Sequence, residues 1–135
     1  MTKKYNRKWA GVAINPRKII FDNYMGSSYG CNGKYITEAL LKAYPEAEIV
    51  WTVRDVAIHR DEFPSQVRLV EYLSDEAMFE YATAAIWVCN TPFWSVHILF
   101  KGTVAKKKGT VFLFSLGRMA HWVLKRFEII VSLIR

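Results

Sequence analysis

The spacing of apolar and polar residues divides the first half of the chain into alternating strands and helices. Ile19 to Phe21 form a short continuous apolar run, which is typical of a strand buried on both faces. Amphipathic spacing predicts a helix from about Gly33 to Ala43. Tyr44-Pro45 ends this helix, because a residue that precedes proline avoids the helical backbone conformation. The β-rich run from Glu48 to Val53 predicts a second strand.

The same pattern continues with three more strands and one more helix. Strands are predicted at Val67 to Tyr72, at Ala85 to Cys89 and at Thr110 to Ser115. Between the third and fourth strands, Ser74 is a good helix N-cap, with Asp75 and Glu76 in the first turn. The apolar face of this helix is formed by Ala77, Met78, Tyr81 and Ala82.

Strands that alternate with helices pair in parallel through right-handed crossovers. The predicted fold class is therefore α/β, a Rossmann-like parallel sheet with helices on both faces. Residues 1–16 are predicted to be a basic lead-in, residues 17–115 the Rossmann-like domain, and residues 116–135 an atypical apolar tail. The polar stretch from Val56 to Ser65 contains Pro64 and is predicted to be a loop or a short irregular turn.

A glycine-rich loop joins the first strand to the first helix and carries the candidate binding residues. Ligands of α/β folds bind at the carboxyl ends of the strands, and backbone N–H groups at a helix start favour an anion. We therefore predict a substrate or phosphate site from this loop, the helix start and one residue after the fourth strand. These residues are Gly26, Ser28, Tyr29, Gly30, Asn32, Lys34, Tyr35 and Asn90.

The loop matches neither of two common nucleotide-binding patterns. It is not a dinucleotide G-x-G-x-x-G, and Ser28 and Tyr35 occupy the first Gly position and the Ser/Thr position of a P-loop. An alternative is that the glycines serve only a tight turn, and that Asn90 serves the turn before a proline. Asp22 and Asp55 also follow apolar runs, and loop capping is the expected role of both.

Composition indicates one packed domain with anionic partners. The chain has 135 residues, 52% of them hydrophobic, and a net charge of +7. Basic residues cluster at Lys3 to Lys8 and at Lys101 to Lys108, which favours phosphates, nucleic acid or an acidic membrane, although a solvated surface is the simpler interpretation. We expect no signal peptide, because the charged N-terminus has no apolar core, and no apolar run approaches the roughly 18 residues of a membrane span.

The cysteines and histidines of the sequence indicate neither a metal site nor a catalytic triad. Cys31 and Cys89 form no zinc pattern and no dense disulfide framework, so a reduced cytosolic setting is expected. No spacing of histidine, carboxylate and serine residues indicates a catalytic triad or a metal centre. We expect no cofactor.

Three segments together resemble the CDP-glycerol glycerophosphotransferase family. They are KIIFDNYMGSSYGCNGKYITEALLKAYPEAEIVWTVRD, FPSQVRLVEYLSDEAMFEYATAAIWVCNT and KKKGTVFL, within roughly residues 17–113. Their most specific part is the loop pattern G-x-x-Y-G-x-N-x-K-Y. The resemblance implies the N-terminal, acceptor-side half of a GT-B-like transferase. Such enzymes transfer glycerol phosphate from CDP-glycerol to a polyol-phosphate or lipid-linked acceptor in teichoic acid or related polymer synthesis.

The sequence departs from the family after the fifth predicted strand. The family carries a Trp-His-Gly motif there, whose histidine is the proposed general base, whereas this chain reads FSLGRMAHWVLKRFE. His121 is the weak catalytic candidate, but Ala120 and Trp122 flank it and no glycine follows, so the role is not transferred to it. A lone histidine in such a setting is more often a packed residue. We expect an N-terminal fragment, produced by truncation or a frameshift near residues 113–120, without transfer activity as isolated.

The resemblance also implies a cellular location and competing functions. Family members sit at the cytoplasmic face of the bacterial cell membrane, so peripheral association with an anionic membrane surface is expected. The alternative function is a non-catalytic, basic membrane-surface binding module, supported by the lysine clusters. Nucleic acid is not an expected partner, because no RNP, zinc-finger or helix-turn-helix signature is present.

Overall fold

A parallel sheet of five strands forms the centre of the computed structural model, which describes residues 11–89 and 111–114. The strands are β1 (Asn15–Asp22), β2 (Glu48–Val53), β3 (Arg68–Glu71), β4 (Ala84–Cys89) and β5 (Val111–Phe114). The helices are α1 (Cys31–Ala43), α2 (Val56–His59), continued by a 3-10 turn at Arg60–Glu62, and α3 (Asp75–Thr83). The strand order is β3-β2-β1-β4-β5, and all four pairings are parallel.

β1 occupies the middle of the sheet and is hydrogen-bonded on both sides. Ile20 is opposite Val50 of β2 and Trp87 of β4. The register with β4 shifts between Asn15 and Ile19, where Pro16 lacks the N–H that a regular ladder needs. The apolar run of β1 is completely buried, as the sequence predicted for a central parallel strand.

Successive residues of the strands point to opposite faces, so the sheet separates two apolar layers. One layer joins Ile19 and Phe21 of β1 to Ile36 and Leu40 of α1. The other layer joins Ile20 to Met78 and Tyr81 of α3. Helices therefore cover both faces, and the predicted α/β class is confirmed.

Trp51 of β2 fixes the start of α1 against the sheet. Its indole stacks on Phe21 with ring centroids 5.2 Å apart, and its Nε1 donates to Thr37 Oγ1 at 2.9 Å. A Cβ at Gly33 would lie 2.8 Å from the Trp51 ring, closer than real Cβ contacts. Glycine at this position therefore allows the close approach of helix and strand.

Most predicted element boundaries agree with the structure within two residues. Ser74 accepts from Ala77 N at 3.0 Å and caps α3, as predicted. α1 begins at Cys31 rather than near Gly33, and β1 begins at Asn15, inside the predicted lead-in. The stretch predicted as a loop or short turn after Val53 instead contains α2 and the 3-10 turn, because Asp55 accepts from Ile58 N at 3.1 Å and caps a single helical turn. The predicted apolar tail lies outside the described residues.

Candidate functional site

The strand order reverses between β1 and β4, so the carboxyl ends of these two strands are the expected place for a ligand. The chain leaves β1 toward β2 on one side of this place, whereas β4 is followed by β5 on the other side. Ligands of open α/β sheets bind where the order reverses in this way. Asp22 and Cys89, the last residues of the two strands, are opposite each other at this point.

The segment after β1 folds back in a conformation that is unusual for residues with side chains. Tyr24 and Met25 have φ values of 45° and 56°, and Gly26 follows at 79°. Left-handed backbone of this kind is unfavourable for residues other than glycine unless the surroundings impose it. We call residues 23–26 the β1 turn, and Gly26 to Gly30 the glycine loop.

Asp22 and Arg54 hold the β1 turn from two strands. The Asp22 carboxylate accepts from Gly26 N at 2.8 Å and from Met25 N at 3.2 Å. Arg54, directly after β2, donates from its backbone N to Gly26 O at 2.9 Å and from Nε to Met25 O at 3.1 Å. A Cβ at Gly26 would lie 3.1 Å from the Arg54 backbone N, so this glycine is required by both its φ and its packing.

Gly30 differs from Gly26 and Gly33 because the fold does not require it to be glycine. Its φ of −171° is extended backbone that any residue adopts. A Cβ there would meet only Asn23 Nδ2 at 3.7 Å and Ser28 Oγ at 3.9 Å, which are ordinary contacts. Gly30 is the N-cap of α1 and provides no side-chain cap, and the first turn has no acidic residue. The first-turn amides are thus left for another acceptor.

Tyr29 closes the glycine loop against the aromatic part of the core. Its ring packs edge-on to Trp51 at 5.3 Å and against Phe63 at 4.5 Å between centroids. Burial, assisted by the charge of Glu38, raises the pKa of Tyr29 to about 12. Its phenol therefore remains a neutral donor at physiological pH. Lys34 Nζ lies 5.6 Å from the centre of the Tyr29 ring, a cation–π contact.

Two cations beside the glycine loop have no carboxylate partner among residues 11–89. Lys34 lies in the first turn of α1, and the guanidinium of Arg54 contacts the β1 turn by donating to Met25 O. Neither residue belongs to an ion pair in the described part of the chain. One carboxylate also lies on this loop, since Glu62 Oε2 accepts from Tyr29 N at 3.4 Å. The uncapped start of α1 and the two cations without ion pairs nevertheless favour a phosphate or carboxylate.

The family model described as CDP-Glycerol:Poly(glycerophosphate) glycerophosphotransferase matches residues 4–121. The chain belongs to this family. The match includes the entire glycine loop and all five strands, and it confirms the resemblance found in the sequence.

Two curated relatives carry the name teichoic acid poly(glycerol phosphate) polymerase. The protein from Staphylococcus epidermidis is 29% identical over 83 residues, which cover 60% of this chain and 11% of the relative. The protein from Bacillus subtilis strain 168 is 29% identical over 100 residues, which cover 70% of this chain and 13% of the relative. This glycerophosphotransferase-family chain therefore matches about an eighth or less of the length of these relatives.

Solved structures of the wall teichoic acid polymerase TagF share the fold. A TagF variant soaked with CDPG aligns with a TM-score of 0.69 at 23% identity, over 86% of this chain and 26% of that one. TagF itself aligns with a TM-score of 0.65 at 22% identity, over 86% of this chain and 27% of TagF. At this identity the likeness shows the fold alone.

The structure brings most of the predicted site residues together at one edge of the sheet. Gly26, Ser28, Tyr29 and Gly30 form the glycine loop, in which Asn23 Nδ2 donates to Ser28 O at 3.0 Å. The backbone of Asn32, with Lys34 and Tyr35, forms the start of α1, and the Tyr35 side chain is 66% exposed. Asn90, the Asn32 side chain and the weak catalytic candidate His121 lie outside what the structure describes.

The sequence interpretation missed Arg54 as a member of this site. Its position directly after β2, the strand next to β1, was the available signal. The predicted capping role of the two aspartates is confirmed, since Asp22 caps the β1 turn and Asp55 caps α2. Within residues 11–89 and 111–114, no cluster of metal-binding side chains is present and no helix has the length and apolarity of a membrane span.

Proposed function

We propose that this chain is the N-terminal, acceptor-side domain of a GT-B-like glycerophosphotransferase of teichoic acid or related cell-wall polymer synthesis. The donor is CDP-glycerol, and the acceptor is a polyol-phosphate chain or its lipid-linked primer. The observation that carries this proposal is the family match over residues 4–121. The parallel fold and the polymerase names of the relatives support it.

In this proposal the glycine loop binds a phosphate of the substrate. The support is the open backbone at Gly30, the uncapped start of α1 and the cations of Lys34 and Arg54. Transfer of a glycerol phosphate group places negative charge on non-bridging oxygens, and fixed N–H groups and cations stabilise that charge. The exposed Tyr35 hydroxyl adds a donor for polyol oxygens, whereas the Tyr29 phenol already donates to Lys34 O at 3.5 Å.

The site is tested by titrating the full chain with glycerol 3-phosphate and following the backbone amides by NMR. We expect shifts at residues 26–34. The variant Lys34→Gln should weaken binding by about tenfold, as the loss of one charge-assisted hydrogen bond implies. Lys42→Gln is the matched control, because Lys42 is an exposed lysine in the last turn of the same helix. Equal affinities of the two variants, or shifts confined to other surfaces, would contradict the proposal.

We also propose that the domain works at the inner face of the cell membrane as a peripheral protein. The support is the net charge of +7 and the two lysine-rich clusters of the sequence. Each basic residue near anionic lipid contributes about 1 kcal/mol to membrane binding, so a few of them suffice for weak adhesion. Sedimentation with anionic and neutral vesicles tests this: we expect binding to the anionic vesicles alone, and equal, negligible binding to both would remove the proposal.

A further inference from the structure

Asp22 is a buried carboxylate whose hydrogen bonds are divided between its two oxygens. Oδ1 accepts from Gly26 N at 2.8 Å and from Thr52 Oγ1 at 2.7 Å. Oδ2 accepts from Met25 N at 3.2 Å and from the Cys89 thiol at 3.7 Å. The residue is only 7% exposed, and no ion pair within the described residues includes it. Its charge is therefore directed at the backbone of the β1 turn and not at a cation.

The contacts of Asp22 continue into the glycine loop through its neighbour. Asn23, 3% exposed, accepts from Ser27 N through its carbonyl at 3.0 Å, and its Nδ2 donates to Ser28 O at 3.0 Å. Asp22, the last residue of β1, and Asn23, the next residue, thus hold the chain from Met25 to Ser28. Gly30 follows Ser28 by two residues, so these contacts also restrict where Gly30 can lie.

Keeping this group as a carboxylate is unfavourable for the fold alone. Burial raises the pKa of Asp22, although the hydrogen bonds from Thr52, Gly26 and Met25 oppose the rise. A neutral asparagine would avoid this cost of burial, but it has one acceptor oxygen where the carboxylate has two. What the carboxylate adds is simultaneous acceptance from two successive amides of a left-handed turn.

We infer that Asp22 is a positioning residue for substrate binding: it fixes the β1 turn at Met25 and Gly26 and thereby sets where the glycine loop places Gly30 and the first-turn amides of α1. This inference rests on the proposed function of the loop. Asp22 itself does not contact the ligand in this arrangement, because it lies buried below the turn.

The decisive variant is Asp22→Asn, compared with Thr52→Val in the same full chain. An asparagine oxygen in the Oδ1 position keeps the bonds from Gly26 and Thr52, whereas its NH₂ group faces the Met25 amide and cannot accept from it. Valine at position 52 removes the hydroxyl that donates to Asp22 and leaves both turn amides bonded. The two variants therefore separate loss of the turn contact from general loosening of the buried cluster.

Hydrogen exchange and binding provide two independent measurements. In Asp22→Asn we expect the Met25 amide to exchange about tenfold faster while amides in the centre of β1 keep their protection, and glycerol 3-phosphate to bind about tenfold more weakly. In Thr52→Val we expect both quantities to stay within about twofold of wild type once global stability is matched.

The outcomes distinguish this inference from the proposed function. Exchange needs no ligand, so unchanged Met25 exchange in Asp22→Asn overturns the role of Asp22 and leaves the proposed function standing. Equal weakening of binding in both variants also overturns it, because the effect would then be structural only. Failure of the wild-type chain to bind glycerol 3-phosphate overturns the proposed function instead.

Discussion

The two edges of the sheet use their polar residues in opposite ways. At the amino edge, where the strands begin, Lys18 Nζ lies 2.7 Å from Glu80 Oε2, and Arg68 bonds to both Glu80 and Glu48. Asn15 completes this network by donating to Glu48 Oε2 at 2.7 Å. At the carboxyl edge, Asp22 and Arg54 bond to the backbone of the β1 turn, with Thr52 as a further side-chain partner of Asp22. Lys34 and Arg54 have no carboxylate partner within the described residues.

This difference separates residues that hold the fold from residues that are available to a ligand. Charges that satisfy one another link β1, β2, β3 and α3 and have no capacity left for a ligand. Cations next to uncapped amides have that capacity. Substitutions at the amino edge should therefore change the free energy of unfolding, and those at the carboxyl edge should change ligand affinity.

The largest expected effect comes from Glu80→Gln at the amino edge. Lys18 and Glu80 are 4% and 3% exposed, so the variant leaves a buried lysine without its counter-ion. We expect a loss of about 3–5 kcal/mol in the free energy of unfolding, measured by urea denaturation. Glu48→Gln is the matched control in the same network, since its side chain is 40% exposed, and it should cost about 1 kcal/mol or less.

Equal stability of Glu80→Gln and Glu48→Gln would contradict the assignment of the amino edge to the fold. The assignment also fails if Glu80→Gln, under conditions where it remains folded, weakens glycerol 3-phosphate binding as strongly as Lys34→Gln does. Either result would mean that the amino-edge network is not a separate structural unit.

A smaller effect is expected at Gly33, a glycine near the site that serves the fold. Alanine there gains about 1 kcal/mol in helix propensity but places a Cβ 2.8 Å from the Trp51 ring. The rigid indole, stacked on Phe21 and bonded to Thr37, has little room to move. We expect a net loss of about 1–2 kcal/mol, measured by thermal or urea unfolding, as overpacking of a filled core implies. A gain in stability would show that α1 can shift away from the sheet.

Much of the fold was predictable because its signals are local. Continuous apolar runs identified the buried strands, and Ser74 identified the start of α3. The short helix α2 was missed since four residues are too few for a helical period, and only the Asp55 cap stabilises it. The sequence did not show which glycines the fold requires, because Gly26, Gly30 and Gly33 differ in what surrounds each of them in three dimensions.

The site itself was predictable as a region but not as a mechanism. The strand–loop–helix pattern indicated the edge of the sheet at which most of the predicted site residues lie. The pattern could not show that Arg54, after the neighbouring strand β2, bonds to the β1 turn. Nor could it show that Asp22 accepts from two backbone amides of that turn. The contact of Arg54 with Met25 joins residues 29 positions apart and depends on strand pairing, which spacing in one sequence does not encode. The contacts of Asp22 are only three and four positions long, but they depend on the left-handed backbone of the β1 turn.

The pH dependence of stability should have opposite signs at the two edges. Burial raises the pKa of Glu80, but hydrogen bonds from Arg68 and Lys18 outweigh it and hold the pKa below its ordinary value. Its contribution is thus present above the unfolded-state pKa and is lost as the pH falls through the folded-state pKa. Burial leaves the pKa of Asp22 raised, so its contribution is present at low pH and is lost as the pH rises through that raised value.

Urea unfolding from about pH 3 to about pH 8 measures both contributions, each with a slope of at most about 1.4 kcal/mol per pH unit. The stability advantage of wild type over Glu80→Gln should shrink toward acid. Relative to wild type, Asp22→Asn should instead become more stable as the pH rises. Parallel curves for wild type and Asp22→Asn would mean that Asp22 has the same pKa in the folded and unfolded chains.

The smallest effect on stability, and the sharpest test of the comparison, is expected for Gly30→Ala. The extended φ of −171° and contacts no closer than 3.7 Å accept a Cβ without strain, but alanine is a poorer N-cap than glycine, so the free energy of unfolding should fall by about 1 kcal/mol or less. The same methyl group would stand at the N-cap of α1, where the proposed phosphate approaches the first-turn amides. We expect glycerol 3-phosphate to bind about tenfold more weakly by NMR titration, because the methyl group keeps the anion from those donors. An unchanged affinity would place the ligand away from the helix start and leave Lys34 and Arg54 as the only support for the site. A large loss of stability would instead show that the fold requires glycine at position 30, as it does at Gly33.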